Sequence, residues 1–470
     1  MREAMSHVGI ICPNVPGHLN PMVALADAIR TRGHQVTFFL LGVPPSSIAA
    51  AGFKVVALGG TIFPADQYQA EIEKLGALRD RAALKHTLAI GARAADAMLE
   101  VGPAVVRANG VTALVVDQAS FPGGTIADQV GIPFATVCNA LLLHPDPNVP
   151  PYFTHWYPRD AWWARIRNRI AWAGLNRLYA PIVTRIQAHR RRFGLPVPAG
   201  LADLWSNTLQ MSQQPELFEF PRCALPAQVR FVGPLRLPGG YQPVSFPWEL
   251  LDGRPLIYAS LGTLQNRIAG TFRVIAEACE GLDAQVVIST GHGVSPEMLG
   301  NLPGRPIVVS YAPQLDLLRR STLAVTHAGL NTVLDAMATG TPLVALPVTN
   351  EQPGIAARVA WIGAGEVVAN QQVTPQALRA AVVRVRSTRS YRAAAERVRD
   401  AIQVAGGAPR AAELIEQRLA LRTPEQIPKE VPRFDVDNEI ISAGELSYRK
   451  EGARVDAGGS VEREPRLGPR

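Results

Sequence analysis

Two histidines and several small polar residues stand where short apolar runs give way to loops, the positions at which an open α/β sheet presents its ligands. His18 lies in "PNVPGHLNP", residues 13–21, after the run Val8–Cys12. Asn20 reads as the cap of the following helix, Pro21 as its first residue and Gly33 as its stop. An imidazole there can take a proton near neutral pH, so His18 is either a loop histidine or a general base. A base needs a partner that fixes its tautomer. Asp117 ends the apolar run Ala113–Val116 and is expected at the same sheet edge, where it can hold the far ring nitrogen or simply cap a helix. A second loop, "THAGLNTVLDAMATGTP" at 326–342, carries His327, Gly329, Asn331 and Thr332 at the start of a helix beginning near Asn331. Unpaired N–H groups at such an end attract phosphate. Thr332 and Asp335 also have the spacing of a capping box, a structural alternative for both. A third loop, "SLGT" at 260–263, brings Ser260, Gly262 and Thr263 to the end of a strand, where the backbone can approach a phosphate.

The elements that must hold these residues alternate in type. Further apolar runs occur at Val36–Leu41, Phe134–Cys138, Pro255–Ser260, Gln285–Ser289, Ile307–Ser310, Leu323–Thr326 and Leu343–Pro347. None alternates strictly, as expected of parallel strands covered on both faces. Amphipathic stretches follow most of them, so the class is α/β with doubly wound sheets. The Pro- and Gly-rich stretch 233–247, "GPLRLPGGYQPVSFP", divides the chain. The expected organisation is a first domain over 1–232, a linker over 233–247, a second domain over 248–390 and terminal helices over 391–422. A polar tail over 423–470 is expected to be disordered or loosely held.

Composition narrows the classes. The 470 residues are 47% apolar and 18% charged, which excludes a mainly disordered chain and favours about two domains. The excess of 47 basic over 39 acidic residues, +8, favours anionic partners. No zinc finger or aromatic–basic reader motif directs that charge to nucleic acid. Cys12, Cys138, Cys223 and Cys279 lie far apart, so neither a zinc site nor a disulfide framework is expected. No signal peptide or membrane-length apolar run is apparent, and a cytoplasmic location is the expectation. G-x-G-x-x-G and the P-loop motif are absent, and the one D-x-D, Asp435–Asp437, falls in the polar tail without a scaffold for metal.

The segment from Tyr311 to Pro353, "YAPQLDLL…THAGLNTVLDAMATGTPLVALPVTNEQP", resembles the signature of the UDP-dependent glycosyltransferases, and "GHLNPMVALADAIRTRGHQVTF" resembles their amino-terminal block. The resemblance spans roughly residues 5–420. Within the family, "VVDQ", "QQPELFEFPR", "VGPLR", "ASLGTLQ" and "NTVLDA" are most similar to the bacterial zeaxanthin glucosyltransferases. The family implies two facing Rossmann-like domains of GT-B type, with donor nucleotide on the second, acceptor on the first and the active site in the cleft. By that resemblance Tyr311 stacks on uracil where the family usually has Trp, and Gln314 hydrogen-bonds the base. His327 contacts the diphosphate, with Asn331 and Thr332 beside it; Gly329 and Thr263 join the donor site from the loop readings above. Asp335 stands where a ribose-binding Glu is common, and Glu351 and Gln352 match the pair that holds sugar hydroxyls. His18 and Asp117 match the base and its partner.

The activity so implied is inverting transfer of glucose from UDP-glucose to a hydroxyl of a hydrophobic acceptor, the carotenoid zeaxanthin foremost. The UDP-sugar is a co-substrate and no other cofactor or metal is called for. Transfer to a macrolide or flavonoid is the alternative, and a sugar-nucleotide epimerase a more distant one.

The stretch 152–193 stands apart. It holds four of the seven Trp (Trp156, Trp162, Trp163, Trp172) and nine Arg against a single acid, Asp160. Trp162, Ile166, Ile170 and Ala173 share one helical face. Such a helix either covers the acceptor lobe with solvated arginines or rests on a membrane surface.

Overall fold

Every apolar run named above folds as a parallel strand in the computed structural model, which describes residues 6–421 apart from 79, 238–243, 263–268, 292–293 and 370–371. The first sheet contains β1 His7–Ile11, β2 Gln35–Leu40, β3 Lys54–Ala57, β4 Ala113–Asp117, β5 Phe134–Cys138, β6 Gln210–Ser212 and β7 Val229–Phe231. Their order is β3-β2-β1-β4-β5-β6-β7. The second contains β8 Leu256–Ser260, β9 Gln285–Ser289, β10 Ile307–Val309, β11 Ser321–Thr326, β12 Leu343–Ala345 and β13 Gly365–Val367, in the order β10-β9-β8-β11-β12-β13. All pairings between these strands are parallel. Val8, Ile10, Leu114, Ile257 and Val325 are wholly inaccessible because helices cover both faces of each sheet. The expected two-lobed, doubly wound architecture is the one observed.

Strand order reverses between β1 and β4 in one sheet and between β8 and β11 in the other, and each reversal opens a crevice at the carboxyl edge. Register sets the depth of each crevice. Ile11 pairs with Val116, so β1 and β4 end together, and Ser260 pairs with Thr326, so β8 and β11 do the same.

Two helix starts differ from the sequence expectation. The first helix spans Pro16–Thr31, with Val15 at its cap, rather than starting at Pro21. Proline is suited to the first helical position, and Pro16 takes it. Pro21 then lies inside the helix, where its missing N–H leaves the Gly17 carbonyl without its intrahelical donor. The helix of the second lobe spans Leu330–Ala338 with Gly329 at its cap. Thr332 is therefore its third residue, and the capping box with Asp335 is not formed.

The lobes share core. Phe121, Leu141 and Tyr152 of the first belong to one buried cluster with Tyr258, Leu330 and Ile355 of the second. At Gly354, in the helix Gln352–Trp361, a Cβ would lie 2.2 Å from the Tyr152 carbonyl oxygen, so this contact requires glycine. Beside it the buried Arg358 guanidinium donates from Nε to Glu219 at 3.0 Å. Removing either partner would strand a buried charge at a cost of about 3–5 kcal/mol. The last described helix, Gly407–Arg418, returns to the first sheet. Its Leu414 and Ile415 pack with Leu25 and Ile29, and Glu416 pairs with Arg32. The tail expected over 423–470, with Asp435 and Asp437, lies outside the described residues, as does part of the 233–247 linker.

Candidate active site

One cavity of about 750 Å³ receives both carboxyl edges, and His18 and His327 both line it. His18 sits in the first turn of the Pro16–Thr31 helix, and its Nδ1–H donates to Asp117 Oδ2 at 2.8 Å. Asp117 is fully buried at the end of β4. It also accepts the Ala119 backbone N–H at 2.7 Å and Asn139 Nδ2 at 2.7 Å. An ionised carboxylate only accepts, so its position puts the ring proton on Nδ1 and leaves Nε2 with a lone pair. Burial draws the His18 pKa down, but the charge of Asp117, the hydrogen bond to it and the charge of Glu351 outweigh that and leave it raised. Glu351 comes from the other lobe, so the two edges already meet electrically. Burial pushes its own carboxyl up, opposed by a backbone hydrogen bond and the charge of His18.

His327 follows β11 directly. Its ring lies between Gly262 and Gly329, where a Cβ on either would come within 2.5 Å of a ring atom. Burial lowers its pKa to about 4, opposed only by a hydrogen bond to the Ser260 backbone. His327 is therefore neutral at physiological pH. The next residue, Ala328, has φ 65°, a left-handed conformation that costs a side-chain-bearing residue roughly 1–2 kcal/mol. That turn aims the start of the Leu330–Ala338 helix at the cavity. Gly329 supplies no side-chain cap, so the N–H groups of the first turn are available to an anion.

Tyr311, Gln314, Gly329, Asn331, Thr332, Glu351 and Gln352 also line this cavity. Gln352 accepts the backbone N–H groups of Val348 at 2.8 Å and Thr349 at 3.1 Å through Oε1, which leaves its NH₂ to point elsewhere. Asp335 is not brought to the lining. Its carboxylate is buried one turn below, accepts Gln314 Nε2 at 2.6 Å and pairs with Arg236 at 2.6 Å. Its short arm is spent on these partners, so the structure gives no support to a ribose contact and places Asp335 as the anchor of Gln314. Thr263 lies outside the described residues.

Three residues were missed. Asn139 stands directly after β5, and the rule that singled out Asp117 at the end of β4 would have found it. Gln213 stands directly after β6, a strand of three residues that carries too little pattern to be seen. Arg236 lies in the Pro- and Gly-rich segment read as a plain linker.

The first-lobe wall is apolar, with Leu41, Leu88, Met98, Phe121 and Ile182 along it. The hydroxyls of Tyr152 and Tyr179, 2.9 Å apart, interrupt that wall. The arrangement can deprotonate a hydroxyl on a lipophilic molecule while an anion is held opposite.

Comparison with known proteins agrees with this chemistry. The family model described as UDP-glucoronosyl and UDP-glucosyl transferase matches residues 149–400. The zeaxanthin glucosyltransferase of Pseudescherichia vulneris is 33% identical over 419 residues, 88% of this chain and 98% of that one. The zeaxanthin glucosyltransferase of Pantoea ananas is 30% identical over 430 residues, 89% of this chain and 97% of that one. The crystal structure of the glycotransferase of kitacinnamycin aligns with a TM-score of 0.68 at 24% identity, covering 88% of this chain and 99% of that one, a likeness of fold.

Proposed function

The chain belongs to the UDP-glucoronosyl and UDP-glucosyl transferase family, and from that premise we propose that it moves glucose from UDP-glucose to a hydroxyl of a carotenoid, zeaxanthin foremost, in the cytoplasm. The observation that carries the reading is the 2.8 Å bond from His18 to a buried carboxylate, in a cavity shared with His327 and the start of the Leu330–Ala338 helix. His18 Nε2 takes the acceptor hydroxyl proton as that oxygen attacks the anomeric carbon. The bond from that carbon to the diphosphate breaks on the opposite face, so configuration inverts and UDP departs. Negative charge grows on the diphosphate. It is met by the N–H groups of the Leu330–Ala338 helix and by the N–H of neutral His327, whose pKa an adjacent anion would raise. Tyr311 stacks on uracil and Gln314, anchored by Asp335, reads its edge. Glu351 and Gln352 hold the sugar hydroxyls. Names of relatives and an apolar wall support the carotenoid. The test incubates the purified protein with UDP-glucose and, separately, zeaxanthin, a flavonoid and a macrolide. Mass spectrometry should find hexose on zeaxanthin first. Hexose only on another acceptor would replace the carotenoid, and none on any would remove the reading.

The same proposal places the acceptor lobe on an anionic bilayer. In the helix Trp162–Arg192, Trp162 is 74% and Ile170 68% exposed, and Trp163 and Ile166 are also exposed. These side chains fall within an arc of about 100° at a helical period, edged by Arg165, Arg167 and Arg169. Trp172 is buried and bonds the Val149 carbonyl at 2.8 Å, so it belongs to the core and not to this face. Asp160, the one acid of the stretch, is paired with Arg165 at 2.9 Å. Two copies of so basic a face repel, whereas anionic headgroups attract it. Among the described residues no helix is long and apolar enough to cross a membrane, so the contact would be peripheral. Phosphatidylglycerol vesicles should sediment the protein at low salt, weakly at high salt, and not after Trp162→Ser with Ile170→Ser. No sedimentation at low salt, or a dimer abolished by those substitutions, would overturn it.

A further inference from the structure

A ring of hydrogen bonds joins the His18–Asp117 pair to the second lobe. Asp117 Oδ2 accepts Asn139 Nδ2 at 2.7 Å, which orients that amide with its carbonyl away from the carboxylate. Gln213 Nε2 donates to the Asn139 backbone oxygen at 2.8 Å and to Asn331 Oδ1 at 2.9 Å. Asn331 Nδ2 donates to the Gly17 carbonyl at 2.8 Å, and Gly17 precedes His18. That carbonyl is open because Pro21, four residues on, has no N–H to give it. Asn331 thus sits at the start of the phosphate-binding helix with both ends of its amide turned into the first lobe.

We infer that Asn139, Gln213 and Asn331 are positioning residues that hold His18 and Asp117 in register with the donor helix, so that lobe contact and orientation of the base are one event. The inference rests on the functional reading above and adds the side chains of Asn139, Gln213 and Asn331, which it does not use. Asn331 acts through its side chain on the base, and its backbone N–H serves the diphosphate. A buried hydrogen bond left half-made loosens the groups it held, enough to slow turnover about tenfold without touching nucleotide binding.

The experiment takes the whole protein with UDP-glucose and zeaxanthin, and Asn331→Ala, the gentler Asn331→Ser, and Gln213→Met, which keeps volume. Each should lower kcat about tenfold and leave the calorimetric Kd for UDP within about threefold. In an Asp117→Asn background, Asn331→Ala should cost clearly less than it does alone, because Asn331 and Asp117 hold the same imidazole. An NMR titration of the His18 ring needs no turnover. Its pKa should fall in all three variants as the Asp117 contact loosens. Multiplicative losses with Asp117→Asn, a tenfold weaker UDP with unchanged kcat, or an unmoved His18 titration would each overturn the inference. Failure of the wild type to glycosylate any acceptor, with the titration shifts intact, would instead remove the functional reading alone.

Discussion

His18 and His327 occupy equivalent places in the two lobes. Each follows the carboxyl edge of its sheet at the crevice where strand order reverses, each lies at a helix start, and both line one cavity. Their proton affinities part. Burial lowers both, but Asp117 stands 2.8 Å from His18 and more than compensates, whereas the hydrogen bond from His327 to the Ser260 backbone does not, and its pKa falls to about 4. A neighbouring carboxylate, and not the ring or its place in the fold, raises the proton affinity of one, while burial holds the other neutral. In the proposed mechanism the lobes divide labour on that difference: the first takes a proton, the second holds an anion.

The largest expected effect tests the first half of the comparison. His18→Ala should lower kcat about 10³–10⁴-fold while UDP binds as before, measured by hexose transfer and calorimetry. Near-normal turnover would end the assignment. Asp117→Asn should cost about 10²–10³-fold and also move the pH profile. Asp117 raises the His18 pKa and the base works unprotonated, so loss of its charge should shift the acid limb of kcat/KM to lower pH. A limb that stays put would break the contrast. His327→Ala should cost about 10²-fold in kcat/KM, with weaker UDP binding and an unmoved acid limb. The smallest effect is the sharpest: His327→Gln keeps a neutral N–H donor and should lose only about fivefold, whereas His18→Gln should be as poor as His18→Ala.

Much of this was legible before folding. The longer apolar runs marked their strands to within a residue or two, and strand ends with the loops after them led to His18, Asp117 and His327. The four strands overlooked, β3, β6, β7 and β13, have three or four residues each, too few to show a period. Gln213 was lost with β6. The helix start at Pro16 was misplaced because two prolines, Pro16 and Pro21, both fit a first position, and the inner one proved useful for the carbonyl it frees. Asp335 was read by its match to a ribose ligand, but Arg236, 99 positions away in sequence, claims it.

Strand–helix alternation and the inventory of acids, bases and amides are local properties, carried by each segment's own side chains. They sufficed for the fold class and for a short roster of chemical groups. Protonation and partnership are not local. Asp117 lies 99 residues from His18, and Asn331 lies 314 from Gly17. Whether such groups meet depends on sheet order and register, and which form each holds depends on burial and the nearest charge. Those arise only when distant segments pack, which is why two similar histidines in one chain differ in proton affinity.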